Sequence, residues 1–195
     1  MLLVGVRNDI LDEASAMKRH VEVVPHNPEW KELFEDEVQE LVAVFGEEIV
    51  AAYHIGSTAI PGILAKPIID ILLEVRDIES VDTFNREMVA IGYVPKGRFG
   101  IAGRRFFIKG SETHRTHHVH VFEQGHPAVR RHLTFRDYLR AHPSEAQAYS
   151  RLKRDLARRF PHDINGYLAG KDAFIKEIER RAEAWERAKK QADNG

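Results

Sequence analysis

The chain has 195 residues, 43% of them hydrophobic and 30% charged, a balance that suits one globular domain with a sizeable core. Twenty-nine Lys and Arg against thirty Asp and Glu leave a formal charge of -1, so net charge supplies no attraction to nucleic acid or anionic lipid. Cysteine is absent, which excludes disulfides, thiolate metal sites and a thiol nucleophile and agrees with a reducing compartment.

In chain order, residues 1–20 mix apolar and charged types without a sustained period and read as an arm. Their apolar start is too short for a signal peptide, and no later run is long enough to span a bilayer, so a soluble cytoplasmic protein without membrane partners is expected. The patterned sequence, taken as a domain over residues 21–190, begins with V-E-V-V-P-H-N-P-E-W. Asn27 and Pro28 open a predicted helix over 28–45, with Trp30, Leu33, Phe34, Val38, Leu41, Val42 and Phe45 on one face. E-I-V-A-A-Y-H-I and P-I-I-D-I-L-L-E-V read as two buried strands separated by a turn-rich link. A helix over 77–91, closed by Gly92, is expected next. Y-V-P-K-G-R-F-G-I-A-G has loop composition, and R-R-F-F-I-K-G with H-H-V-H-V-F reads as a hairpin. Three helices account for the remainder. The fold class is α+β, with an α/β layer and a C-terminal helical portion.

Chemistry concentrates in H-I-G-S-T-A-I-P-G-I-L-A-K-P-I-I-D-I, residues 54–71. A glycine after a strand lets backbone amides approach an oxyanion, and Ser57 and Thr58 add hydroxyl donors, so phosphate is the natural guest; a plain capped turn is the structural alternative. Asp70 lies in a strand otherwise made of Ile and Leu, where a lone carboxylate is costly and calls for a cation, a Lys or a backbone donor. In T-H-H-V-H-V, strand alternation puts His118 and His120 on one face, at a spacing that allows a shared metal or phosphate, and turns His117 away; half-buried histidines without a ligand are the alternative. Lys96, Arg98, Arg104, Arg105, Lys109 and Arg115 form a basic stretch able to bind a triphosphate, although strand parity separates Arg104 from Lys109. F-R-D-Y-L-R, with Tyr149, Lys153, Tyr167 and Lys171 farther on, reads mainly as helix packing and surface ion pairs, with one wall of a cleft as the alternative.

These segments together, ending in Y-x-x-x-K-D-A-F-I, resemble the GrpB family from about Val21 to Trp185. The resemblance implies a nucleotidyltransferase-like mixed sheet of the DNA polymerase β type, and a related domain occurs fused to dephospho-CoA kinase in some bacteria. By that resemblance Gly56 and Ser57 match a phosphate-holding turn and Asp70 a first metal-binding carboxylate. The second carboxylate of Asp-x-Asp is replaced by Leu72. The leading expectation is therefore a protein that binds an NTP and a divalent cation and transfers a nucleotidyl group to an unknown acceptor. Asp70, Ser57 and Lys66 are its expected catalytic residues. Gly56, Ser57, Thr58, Lys66, Arg98, Arg104 and Lys109 would bind the nucleotide. Asp70, His118 and His120 would hold the metal, Mg or Mn or a softer ion such as Zn or Ni. A module that binds nucleotide or another phosphorylated small molecule without transfer, and a metal-dependent phosphoesterase, are the alternatives.

Overall fold

The computed structural model describes residues 20–111 and 113–193, so the expected arm lies outside the described residues except for His20. Asn27 accepts a hydrogen bond from the Glu29 amide (3.1 Å) just ahead of α1, Trp30–Phe45, which buries Trp30, Leu41 and Phe45 on one side. Two strands follow, β1 (Ile49–Ile55) and β2 (Ile69–Val75), then a short helix α2 (Asn85–Ala90). Strands β3 (Tyr93–Pro95), β4 (Arg104–Gly110) and β5 (Arg115–Glu123) complete the sheet. Three helices, α3 (Pro127–Ala141), α4 (Pro143–Arg159) and α5 (Ile164–Asp193), end the chain. No helix among the described residues is long and apolar enough to cross a membrane.

The sheet order is β1-β2-β5-β4-β3, with β2 and β5 parallel and every other neighbouring pair antiparallel. The architecture is thus mixed α+β around a five-stranded mixed sheet. One face, carrying Ile69, Ile71, Leu73, Val75, Phe107, Val119 and Val121, packs with Leu41 and Phe45 of α1 in the main core. The opposite face buries Ile55, Leu72 and Phe122 against Val129 of α3. Helices α3 to α5 close a further core around Tyr138, Leu139, Tyr149 and Ile178, which includes Ile60 and Ile63 from the β1–β2 link.

Two elements differ from the sequence expectation. The helix foreseen over 77–91 is a 3-10 turn, Ser80–Phe84, followed by the six residues of α2. Local bonds compete with the longer helix: the Glu79 amide donates to Asp77 Oδ1 (2.9 Å) and the Ser80 hydroxyl to the Asp77 carbonyl (2.7 Å). Val81 and Met88 still face the core as their spacing requires. The second difference is β3, an edge strand too short for a period of two to be visible in the loop-like sequence around it.

Candidate functional site

Because β2 and β5 run parallel in register, Asp70 stands directly beside His118 and Leu72 beside His120. Alternation puts these four residues on the face that α3 partly covers, while His117 turns to the α1 face and approaches Glu37 (Nε2 to Oε2, 3.6 Å). His118 Nδ1 lies 3.0 Å from Asp70 Oδ1 and His120 Nε2 lies 3.9 Å from the same oxygen. Burial pushes the Asp70 carboxyl up, but the two imidazoles beside it, His118 by its hydrogen bond first, override that and hold the group well below the usual carboxylate range. Asp70 is therefore ionised. Its partner is the opposite case, because burial lowers the His118 value more than Asp70 raises it. A neutral His118 that shares its Nδ1 proton with Asp70 keeps a lone pair on Nε2, which is buried and without a hydrogen-bond partner.

The turn after β1 is built around this carboxylate. Gly56 has φ +70, and a Cβ at that position would collide with Oδ2 of Asp70 and lie 3.1 Å from its Cβ and Cγ. Only glycine permits both the backbone conformation and the contact. Residues 57–59 then make one 3-10 turn. Ser57 lies near the buried phenol of Tyr149, which burial pushes up and the Ser57 hydroxyl draws back down. Thr58 is turned inward: it donates to the Ile68 carbonyl (3.3 Å) and lies 2.9 Å from His54 Nε2. That single hydroxyl proton is committed to Ile68, so Nε2 of His54 carries the proton of their contact. Burial pushes the His54 imidazole down to about 4, and Phe34 stacks on it. The turn is clamped from outside by α3. Arg140 donates to the Ala59 carbonyl through Nε (2.9 Å) and Nη2 (2.7 Å), and Arg136 donates to the His54 carbonyl (3.0 Å) while pairing with Asp137.

The basic residues divide by strand parity. Arg104 is buried on the Asp70 face, with its guanidinium carbon 4.6 Å from the centre of the Phe106 ring and Nη1 3.5 Å from His120 Nδ1. It also donates to the carbonyls of Arg98 (3.3 Å) and Phe99 (2.7 Å), holding the loop before β4; Phe99 in that loop has φ +43. Arg98 contributes its carbonyl there, and its residue is exposed. Lys109 is not brought to the site. It lies on the opposite face, where Glu37 binds its Nζ at 2.7 and 2.9 Å, and Arg105 on that same face is taken by Asp82 and Glu79.

Sequence reasoning underweighted the far wall. Helices α4 and α5 bring Tyr149, Lys153, Tyr167 and Lys171 to the Asp70 corner, where Lys66 from the β1–β2 link joins them. Nζ of Lys171 lies 4.6 Å and that of Lys66 5.8 Å from the centre of the Tyr167 ring, and Nζ of Lys153 lies 4.4 Å from that of Tyr149. The signal was present as a Lys on an apolar stripe, Tyr149, Lys153, Leu156 and Ala157, all buried. His132 of α3, with its ring 5.7 Å from that of His120, was not singled out at all; burial pushes it down to about 3.

Among the described residues no group of three or more His, Asp or Glu forms a ready metal cage. One carboxylate and two imidazoles are donor types of softer divalent ions such as Zn or Ni more than of Mg, which takes oxygen ligands. A groove of about 750 Å³ lined by Glu74, Leu133, Trp185 and Lys189 is not lined by Asp70, His118 or His120.

The profile described as GrpB protein matches residues 20–181. The chain is 54% identical over 176 residues to the UPF0157 protein YqkA of Bacillus subtilis, covering 90% of this chain and 51% of YqkA, so it spans about half that relative's length. It is 39% identical over 165 residues to the Glutamate-rich protein GrpB of Alkalihalophilus pseudofirmus, covering 83% of this chain and 95% of that protein. A dephospho-CoA kinase of Mycolicibacterium paratuberculosis is 29% identical over 189 residues, with 85% of this chain and 46% of the kinase covered. Among solved structures, the crystal structure of the conserved protein GrpB from Enterococcus faecalis superposes with a TM-score of 0.80 at 44% identity, covering 84% of this chain and 99% of that one.

Proposed function

This chain belongs to the GrpB family, and from that premise we propose that it is a nucleotidyltransferase-like protein whose Asp70 corner binds an NTP and transfers a nucleotidyl group to an acceptor. The observation that carries the reading is the packing of the Gly56 turn against an ionised Asp70, with Ser57 and a basic wall at the same place. An anionic carboxylate among Lys66, Lys171 and Arg104 is a setting for phosphate met by a cation, not for an apolar ligand. Asp70, with His118 and His120 beside it, would hold the divalent cation, which when bound neutralises phosphate charge. Ser57 and the amides of the turn orient the phosphates. With its Nδ1 held by Asp70, His118 has Nε2 as the atom it would offer the cation.

Isothermal titration with NTPs in Mg or Mn tests this reading. The wild-type protein is expected to bind, and Asp70→Asn to bind about tenfold more weakly or worse, as loss of a charged partner implies. No NTP binding in either metal would overturn it.

One observation favours a second reading, a binding module without transfer. Leu72, where a second carboxylate would stand, is fully buried between Ile55, Phe122 and Val129, so no two-carboxylate clamp is available from β2. Glu74 does not replace it, because its Oε2 accepts from the Tyr53 hydroxyl (3.1 Å) and its Oε1 from the Gly125 amide (3.3 Å). NTP binding with no release of pyrophosphate across a panel of acceptors would select this second reading.

A further inference from the structure

Lys153 is the most unusual cation in the fold. It is 2% exposed, its Nζ has no hydrogen-bond partner, and the cation near it is another lysine, Lys171. An ammonium without a hydrogen-bond acceptor in such a place is expensive, and the cation–π contact with Tyr149 offsets only part of that cost. Its neighbours are Tyr149, whose ring it caps and whose phenol lies near Ser57, and Tyr167, which carries Lys171 and Lys66 on its ring. Three lysines, two tyrosines and the serine of the phosphate turn thus stand together, with Asp70 as the acidic group that acts on Lys171.

We propose that Lys153, Lys171 and Lys66 form a second anion subsite, which takes the distal phosphates of a polyphosphate ligand while the Gly56–Ser57 turn holds the proximal one. The subsite deepens the nucleotide reading and rests on it for the nature of the proximal group, but its own chemistry asks only for linked phosphates. A single phosphate at the turn leaves the Nζ of Lys153 beside Lys171 without an acceptor. A chain of two or three phosphates brings oxygens to Lys153 and Lys171 and gives Lys153 its first hydrogen-bond acceptor. Burial and Lys171 hold Lys153 down to about 7, and burial and Lys66 hold Lys171 down to about 8, as expected of cations that wait for an anion. The two tyrosine rings keep the ammonium groups in place before the ligand arrives.

The test uses the whole protein without metal and titrates inorganic tripolyphosphate, pyrophosphate and orthophosphate by calorimetry. Tripolyphosphate is expected to bind about tenfold or more tightly than orthophosphate, and Lys153→Met and Lys171→Met each to lose about tenfold in tripolyphosphate affinity. Lys153→Met is also expected to melt higher than wild type, because it removes a buried charge of similar volume, so lost binding cannot be ascribed to lost folding. Asp70→Asn should keep or tighten tripolyphosphate binding, since a negative charge leaves the site. Equal affinity for all three anions, no tripolyphosphate binding, or binding unchanged by both lysine substitutions would overturn the proposal. Tripolyphosphate binding without NTP binding would uphold the subsite and sink the nucleotide reading. NTP binding untouched by the lysine substitutions would do the reverse.

Discussion

Gly56 is the residue on which the corner depends, for two reasons that act together. Its φ of +70 belongs to the left-handed region, and the space where a side chain would begin is filled by the Asp70 carboxylate. Gly56→Ala therefore meets both a backbone penalty and a clash with Oδ2 of a carboxylate whose other oxygen His118 already holds. The expected loss is about 1–3 kcal/mol of unfolding free energy, read by urea denaturation, together with loss of phosphate binding as the Ser57 turn is pushed away from Asp70. A fully stable Gly56→Ala with unchanged binding would mean that the turn does not need its contact with Asp70. That His118 and His120 share a face was legible beforehand because strand parity is a strong constraint: a strand period of two leaves His117 only the other face. What parity could not supply was which strands are neighbours. The residues Asp70 and His118 are 48 apart in sequence, and only the parallel pairing of β2 with β5 makes them adjacent.

At the scale of elements, the sheet and the three C-terminal helices follow from apolar periods long enough to be read, whereas β3 and the shortened α2 do not, because three or six residues carry too little pattern against the local bonds of Asp77 and Ser80. The basic stretch on β4 shows the same limit from the other side. Strand parity already separated Arg104 from Lys109, and the sheet sends them to opposite faces, but only the packing shows that one meets the Asp70 corner and the other Glu37 of α1. The lysines of α4 and α5 were visible but undecided, since helical spacing says that Lys153 lies on the buried stripe and not what it meets there. β2 itself makes a separate prediction. Leu72 is fully buried under α3, so restoring the second carboxylate by Leu72→Asp would place a charge among Ile55, Phe122 and Val129. The variant is expected to lose at least about 3 kcal/mol in urea denaturation, while Leu72→Met should lose less than about 1.5 kcal/mol. A stable Leu72→Asp would show that water or a cation reaches this position, and with it that the two-carboxylate chemistry was closer than the packing implies.

The whole molecule should report the site through the pH dependence of its stability. His54 is held neutral by burial, with its value down at about 4 against about 6.5 for a free imidazole, so the unfolded chain binds a proton there that the folded one refuses. Its contribution is complete above about pH 6.5 and is lost as the pH falls towards 4. Lys153 has the same sign in another window. Its value of about 7 lies below the ordinary one of about 10.4, so folding is penalised fully below about pH 7 and progressively less as the pH rises to about 10.4, with Lys171 adding to the upper part. The melting temperature of the free protein is therefore expected to climb with pH in two steps, one on the acid side of neutrality and one on the alkaline side. Scanning calorimetry across that range checks this. Lys153→Met should flatten the alkaline step and leave the acid one, while His54→Gln should do the opposite. Saturating tripolyphosphate should also suppress the alkaline step, because an anion beside Lys153 restores its charge in the folded state and removes the difference in proton binding. A wild-type protein whose stability is level through the alkaline range would mean that Lys153 already has a counter-charge in the free protein, and the cost that motivates the anion subsite would not exist.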